Sequence, residues 1–348
     1  MPKPKRLLFL WSAVLGLAML PSMASADDEA GAWMPTETAI RAPAAGVALP
    51  QTVAGLSLSR SGEASNGGRA IDNYAQYLSD DGAIQATLYV YMPTYADASL
   101  AAYMTDKAVM ERFGAKTRRT AYASVAAGGR AGAAIRAVYD DAADGALTTA
   151  AGFVHAGRWI VKIRVTGPTE RRTDVVAGLD GMLNGLAFDD PASLQPVTTT
   201  SFGACPAAAS GDARLTRSGE DDRAVDADIR IPRDGQDTLC VRGTVTTAEG
   251  RYDMLQRAGQ PDGPIIVPVD DSGTLLAFDR SANRSGYRLS IHMVGRTDLY
   301  GVYDQVPSPR QIAAILDGKD PQTARAQASA AYTAEGAMTI SRLAATAH

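Results

Sequence analysis

Histidine and cysteine are scarce in this 348-residue chain, with three and two copies. His155, His292 and the terminal His348 form neither an HExxH run nor an HxH pair, which disfavours a zinc hydrolase. Cys205 and Cys240 lack the CxxC spacing of a redox or metal pair. No GxxxxGKS phosphate loop occurs, and no GxSxG turn sits between a strand and a helix. Aromatic residues make up 6% of the chain, and the formal net charge is −4. That balance excludes the basic footprint of a nucleic-acid binder and leaves no polybasic patch for anionic lipid. No catalytic, cofactor-binding or metal-binding residue is therefore assigned.

What remains is globular in character, with 46% hydrophobic and 21% charged residues in a length that suits two domains. The chain opens like a secretory leader. Lys3, Lys5 and Arg6 form a basic start, an apolar run covers 7–20, and Ala24-Ser25-Ala26 is a small-residue cleavage site. The run is short for a membrane span. Removing 1–26 takes away three cations and no acid, so the formal charge falls from −4 to −7. Export to an oxidising compartment makes a Cys205–Cys240 disulfide the expected fate of the two thiols. The expected location is the periplasm or beyond, with no membrane insertion once the leader is gone.

Residues 27–48 are polar, Ala-rich and aperiodic, and read as a flexible lead-in. A first α+β domain is expected over 49–188. A hairpin spans 70–78 and 83–92, turning at Ser79-Asp80-Asp81-Gly82. A helix follows over 96–113, with Leu100, Tyr103, Met104 and Ala108 on one stripe and Gly114 as its stop. Strands over 119–125, 131–139, 147–155 and 158–166 come next, then a helix over 169–186. In the last of these strands Trp159, Val161, Ile163 and Val165 alternate with Lys162, Arg164 and Thr166, the pattern of one buried and one wet face. The row led by Trp159 is expected to lie under the following helix. Helices segregated to one face of an antiparallel sheet are the expected architecture.

The segment Ala86-Thr87-Leu88-Tyr89-Val90-Tyr91 before the first helix and 159–165 before the second resemble the PsbP-like fold. That fold is shared by a lumenal photosystem II protein, a small Ran-binding nuclear protein and bacterial periplasmic proteins. The resemblance covers 49–188 and implies a non-catalytic role in binding or assembly.

Residues 189–206 hold Pro191, Pro196, a Thr198-Thr199-Thr200 run and Pro206, and read as a linker. A second, β-rich α+β domain is expected over 207–320. Its strands cover 227–231, 239–245, 252–256, 265–269, 275–279, 287–294 and 298–303, and a helix is capped at Ser308-Pro309. Both halves end in a strand, a proline-containing break and a helix, so one reading of the second is a diverged duplicate of the first. The tail, 321–348, is Ala-rich and either adds a strand or stays loose.

His155 and His292 read as surface histidines. Glu220-Asp221-Asp222 with Asp226 and Asp228 reads as a solvated turn, while 141–145 and 270–273 read as hairpin turns. Gly67-Gly68 and Gly128-Gly129 fall in turns. Lys162 and Arg164, with Arg171 and Arg172 of the next helix, are candidates for an anion or partner site, set against a solvated sheet face. The leading expectation is a periplasmic partner-binding or envelope-assembly factor. The alternatives are a small-ligand binder with a cleft between its halves and an enzyme whose site leaves no local signature. The leader reading predicts that the exported chain begins at Asp27. N-terminal sequencing checks this, and a start at Met1 would refute it.

Overall fold

The computed structural model describes residues 31–65, 69–206, 211–216, 239–281, 286–320 and 326–342. The leader, Gly67-Gly68, the 220–228 acidic cluster, the 227–231 strand and His348 lie outside the described residues.

The chain begins with three short strands, β1 (Met34–Pro35), β2 (Ala39–Ala42) and β3 (Val47–Pro50). Then come β4 (Thr52–Val53), β5 (Leu56–Glu63), β6 (Asp72–Ser79) and β7 (Gln85–Tyr91), followed by helix α1 (Ala98–Phe113). Four long strands follow: β8 (Arg118–Ala127), β9 (Arg130–Ala142), β10 (Leu147–Ala156) and β11 (Trp159–Pro168). Helix α2 (Arg172–Gly185) and strand β12 (Ala187–Phe188) complete this half. The second half runs β13 (Leu239–Thr246), β14 (Arg251–Arg257), β15 (Ile265–Pro268), β16 (Leu275–Arg280), β17 (Tyr287–Met293) and β18 (Arg296–Tyr303). Helix α3 (Pro309–Leu316) and the hairpin β19 (Ala328–Tyr332) and β20 (Met338–Arg342) close it. All pairings of these strands are antiparallel, and the class is a β-rich α+β fold.

Local chemistry accounts for the element ends. Asp97 caps α1 by accepting from the Ser99 and Leu100 amides at 2.8 and 3.0 Å. Ser308 caps α3 in a reciprocal box with Gln311. The β6–β7 turn is held by Ser79 Oγ donating to Asp81 at 2.6 Å and by Gly82 at φ +69°.

Eight strands in the order β4-β5-β6-β7-β11-β10-β9-β8 form the first large sheet. One face carries Val161, Ile163 and Val165 of β11 with Ala150 and Val154 of β10, and packs on Val175, Leu179, Met182 and Leu183 of α2. A side chain at Gly152 would strike Leu183 and Leu179 of α2, which is what lets that helix sit so close. The other face carries Ala151, Phe153 and Ile160, and packs on Ala98, Ala101 and Ala102 of α1. The expectation that both helices share one face is thus corrected. Alternation gives β10 and β11 two apolar rows, and each row needs its own cover.

The second sheet runs β13 to β20 in sequence order. Its Leu255, Ile266, Leu275 and Ala277 meet Leu100 and Tyr95, at and just before α1, while Met254, Val267, Leu276 and Phe278 meet Ile312 and Ile315 of α3. The layers are therefore α2, sheet, α1, sheet, α3. The strand order of the first sheet does not recur in this meander, so its topology is not that of a duplicate.

Two segments read as loose are paired. Residues 31–50 build a small sheet, β1-β2-β3-β12, with Ile40, Ala42, Val47 and Leu49 buried. Trp33 Nε1 also donates to the Gly62 carbonyl at 2.9 Å. Strands of two to four residues are too short to show periodicity, which is why the sequence hid them. The 189–206 stretch is a strap. Gln195 N donates to His155 O at 2.9 Å, Val197 N to Gly132 O at 3.0 Å, and Leu194 and Val197 are buried. It ends at the Cys205–Cys240 disulfide, which ties it to β13 with a Cα–Cα distance of 5.0 Å. A bridge of this kind contributes about 2–4 kcal/mol.

Trp159 lies in the α2-covered core and is 7% exposed. Trp159→Ala is expected to cost about 3–5 kcal/mol, measured by denaturant unfolding. An unchanged midpoint would refute this packing.

Candidate functional site

Alternation along three neighbouring strands places a second row on the α1 side of the first sheet. Tyr74 of β6 stands opposite Tyr89 of β7, Asp72 opposite Tyr91, and Tyr89 opposite Lys162 of β11, with Arg164 two residues further along. Helix α1 presses on β9 and β10, through Ala98, Ala101 and Ala102 near its start and Val109 further along, and leaves a gap over β6, β7 and β11. Thr105, Ala108, Val109, Arg112 and Phe113 share one stripe of the helix and roof the gap. The β15–β16 turn, with Asp271 and Ser272, closes one end. The result is a cleft of about 420 Å³ where the two sheets meet across α1.

The closing turn is rigid. Asp270 Oδ1 accepts from the Ser272 amide at 2.9 Å, the Ser272 hydroxyl at 2.7 Å and the Thr274 amide at 3.0 Å. Gly273 has φ +95°, and a Cβ there would stand 2.6 Å from Pro93. This geometry aims Asp271 inward. Its carboxylate accepts from Lys162 Nζ and from Thr105 Oγ1 at 2.9 Å, and its carbonyl from Tyr91 Oη at 3.0 Å. Burial pushes the Asp271 carboxyl up, but the Lys162 ammonium and the Thr105 hydroxyl outweigh it and hold the group below the usual carboxylate range. Lys162, the more deeply buried partner, is lowered by burial against the pull of Asp271. The face expected to be wet is thus covered, and Lys162 is 8% exposed.

Two further ties join the halves. Lys107 Nζ meets Asp253 at 2.7 Å, and Tyr103 Oη donates to the same carboxylate. Thr94 N donates to Met293 O at 3.1 Å and Gly295 N to Met92 O at 2.9 Å. Beside these backbone bonds His292 is buried, with Nδ1 3.1 Å from Thr94 Oγ1 and Nε2 3.0 Å from Ser290 Oγ. His292 is therefore a junction residue and not a surface one. His155 is buried as well. Its Nε2 lies 3.1 Å from Gly157 O, and burial lowers its pKa.

Arg164 stands apart from the locked pair. Its Nε donates to Thr149 Oγ1 at 3.4 Å, and its guanidinium lies 5.6 Å from the Phe113 ring. Arg112, exposed at the rim, lies 5.7 Å from the same ring. Among the described residues neither forms an ion pair with a carboxylate. Burial, with the like charge of Arg112, lowers Arg164 below its ordinary value. At the far end burial and the Glu63 carboxylate raise Asp72.

Of the four cations singled out in the sequence, Lys162 and Arg164 meet in this cleft. Arg171 and Arg172 do not join them. Arg171 pairs with Asp81 at 2.6 Å and Asp174 at 2.9 Å, and Arg172 with Asp140 at 2.9 Å. Sequence reasoning missed Asp72, Tyr74, Arg112 and Asp271 as residues that line the same cleft as Lys162 and Arg164. The readable signal was the alternation that puts Tyr89 and Tyr91 on the Lys162 face. Among the described residues no group of three or more His, Cys, Asp or Glu is placed to hold a metal, and no helix is long and apolar enough to cross a membrane. No family model and no curated protein matches the chain.

Asp271→Asn leaves the Lys162 charge without its partner and is expected to cost about 2 kcal/mol at pH 7. That is less than the ~3–5 kcal/mol of a wholly buried pair, since Asp271 is 34% open. Because its folded pKa is depressed, the contribution of Asp271 is full above the unfolded carboxyl value. It is lost as pH falls through the folded value. Unfolding of both proteins between pH 7 and pH 2 checks this; a difference that persists undiminished at pH 2 would refute it.

Proposed function

We propose that this protein is an exported, non-catalytic binding protein that holds a small organic molecule in the cleft between its two sheets. The observation that carries the reading is the cleft itself, a tyrosine-walled space of about 420 Å³ bordered by two guanidinium groups without ion pairs. Its volume lies in the range of small-molecule sites, and the junction of two structural units is a frequent place for one. Most of the polar groups lining it that commonly serve in catalysis are engaged in holding the fold, Asp72 being the exception. Lys162 and Thr105 are tied to Asp271, and Ser272 is tied to Asp270.

The surface gives less support to the leading expectation of a partner-binding factor. The large apolar side chains recorded as exposed among the described residues are Met34 and Met110, on separate elements. The disulfide is compatible with an oxidising compartment, as the leader-like start leads one to expect. A PsbP-like fold for 49–188 remains part of the proposal and carries no function by itself.

Ala108 is exposed on α1 and lines the cleft, so Ala108→Trp fills the space without disturbing a buried contact. Thermal-shift screening of a small-metabolite library against both proteins is expected to give compounds that raise the melting temperature of the unsubstituted protein and not that of the variant. Equal responses from the two would refute the reading.

A further inference from the structure

The lining of the cleft is specific enough to name a ligand class, an inference that rests on the small-ligand reading. We infer that the cleft selects ring-bearing monocarboxylates, with the carboxylate held by Arg112 and Arg164 and the ring laid on Tyr74 and Tyr89.

The charge count comes first. Arg112, Lys162 and Arg164 face Asp72 and Asp271, so the lining carries one net positive charge. Lys162 and Asp271 satisfy each other, which leaves the positive end to the two guanidiniums. Both lie beside one ring, Phe113, at 5.7 and 5.6 Å. Arg112 also acts on Arg164 as a like charge, which places both at one end of the cleft, where two planar forks could meet one carboxylate. Arg164 is partly buried and makes no close ion pair; the more distant Asp271 offsets only part of the cost of that burial, and a bound anion would recover more of it.

Position along the strands supplies the second constraint. Asp72 is paired with Tyr91 of β7, and Arg164 with Thr87 of the same strand. Four residues of strand separate those points, roughly 13 Å at about 3.3 Å per residue. The cleft therefore has an anionic end and a cationic end. A second negative group reaching toward Asp72 would meet a carboxylate already disfavoured by burial and by Glu63. A hydroxyl or amide donor there would be accepted. Asp72 is in this way the residue that sets one charge rather than two.

The wall between the ends suits a flat body. Tyr74 and Tyr89 are directly opposed on adjacent strands and both line the wall, the Tyr74 ring leaning over Gly62 of β5 and the Tyr89 ring lying under Lys162 of β11, so together they offer a broad aromatic floor. Both are partly open toward the cleft. Tyr91, by contrast, is spent on the Asp271 carbonyl.

Calorimetric titration of the full chain with one- and two-ring arylcarboxylates, their primary amides, the matching aryl phosphates and 1,4-phenylenediacetate tests the inference. Acids are expected to bind about tenfold or more tightly than amides, since a charged hydrogen-bonded pair is lost in the amide. Arg164→Gln and Arg112→Gln should each weaken the acids by about tenfold and leave the amides unchanged. Asp72→Asn should improve binding of the dicarboxylate and not that of the monocarboxylates. Acid and amide binding equally, phosphates preferred over carboxylates, acid affinity unmoved by Arg164→Gln, or no arylcarboxylate binding at all would each overturn it. If neutral compounds bind and Ala108→Trp abolishes that binding, the ligand class is wrong and the cleft reading stands. If no compound in the series responds to Ala108→Trp, both fail.

Discussion

A helix that is apolar on two opposite sides must be covered twice, and α1 is such a helix. Ala98, Ala101 and Ala102 seat it on the first sheet, while Leu100 and Tyr103 turn toward the second. Small residues on one side allow close approach to a flat sheet, and larger ones on the other fill the wider gap. The rest of the layering follows from that double burial. The outer face of the first sheet takes α2, and the outer face of the second takes α3. The cleft lies between the stripe of α1 that carries Thr105, Ala108 and Arg112 and the strands β6, β7 and β11, while Val109 holds the same stretch of the helix on β9.

Electrostatics then fixes how the halves meet. Asp271 reaches from the second sheet to Lys162 of the first and to Thr105 of α1, so one carboxylate joins three layers. Lys107 and Tyr103, both on α1, meet Asp253 of the second sheet and add a two-layer tie. Buried pairs of this kind add less stability than their contact distances suggest, since each ion gives up its water. Their geometric effect is larger, because a single misplaced turn would leave Lys162 buried alone. The same desolvation lowers Arg164, which feels the Asp271 charge but makes no ion pair of its own among the described residues.

Much of the first half was legible. Period-2 alternation over ten residues in β11 and a 3.6-residue stripe bounded by Asp97 and Gly114 are strong local signals. The capped start of α3 was equally plain at Ser308-Pro309. Short paired segments were not legible. Ala39–Ala42 and Val47–Pro50 have too few residues to display a period, and their pairing depends on each other and on Ala187–Phe188. The strap across 189–206 was hidden for a related reason, since proline and threonine give the same local impression whether or not a partner edge is present.

The candidate site divides along the same line. By itself the sequence determined that Lys162 and Arg164 share a face, that Tyr89 and Tyr91 alternate, and that 270–273 turns sharply, because each is a matter of bonded neighbours and backbone preference. Only the tertiary structure decided that the face is covered, that Asp271 meets Lys162 across 109 residues of chain, and that Arg171 and Arg172 belong elsewhere. The reason is physical. Alternation says which residues point the same way, but whether that direction is water or another layer depends on apolar area carried by segments far away in the chain.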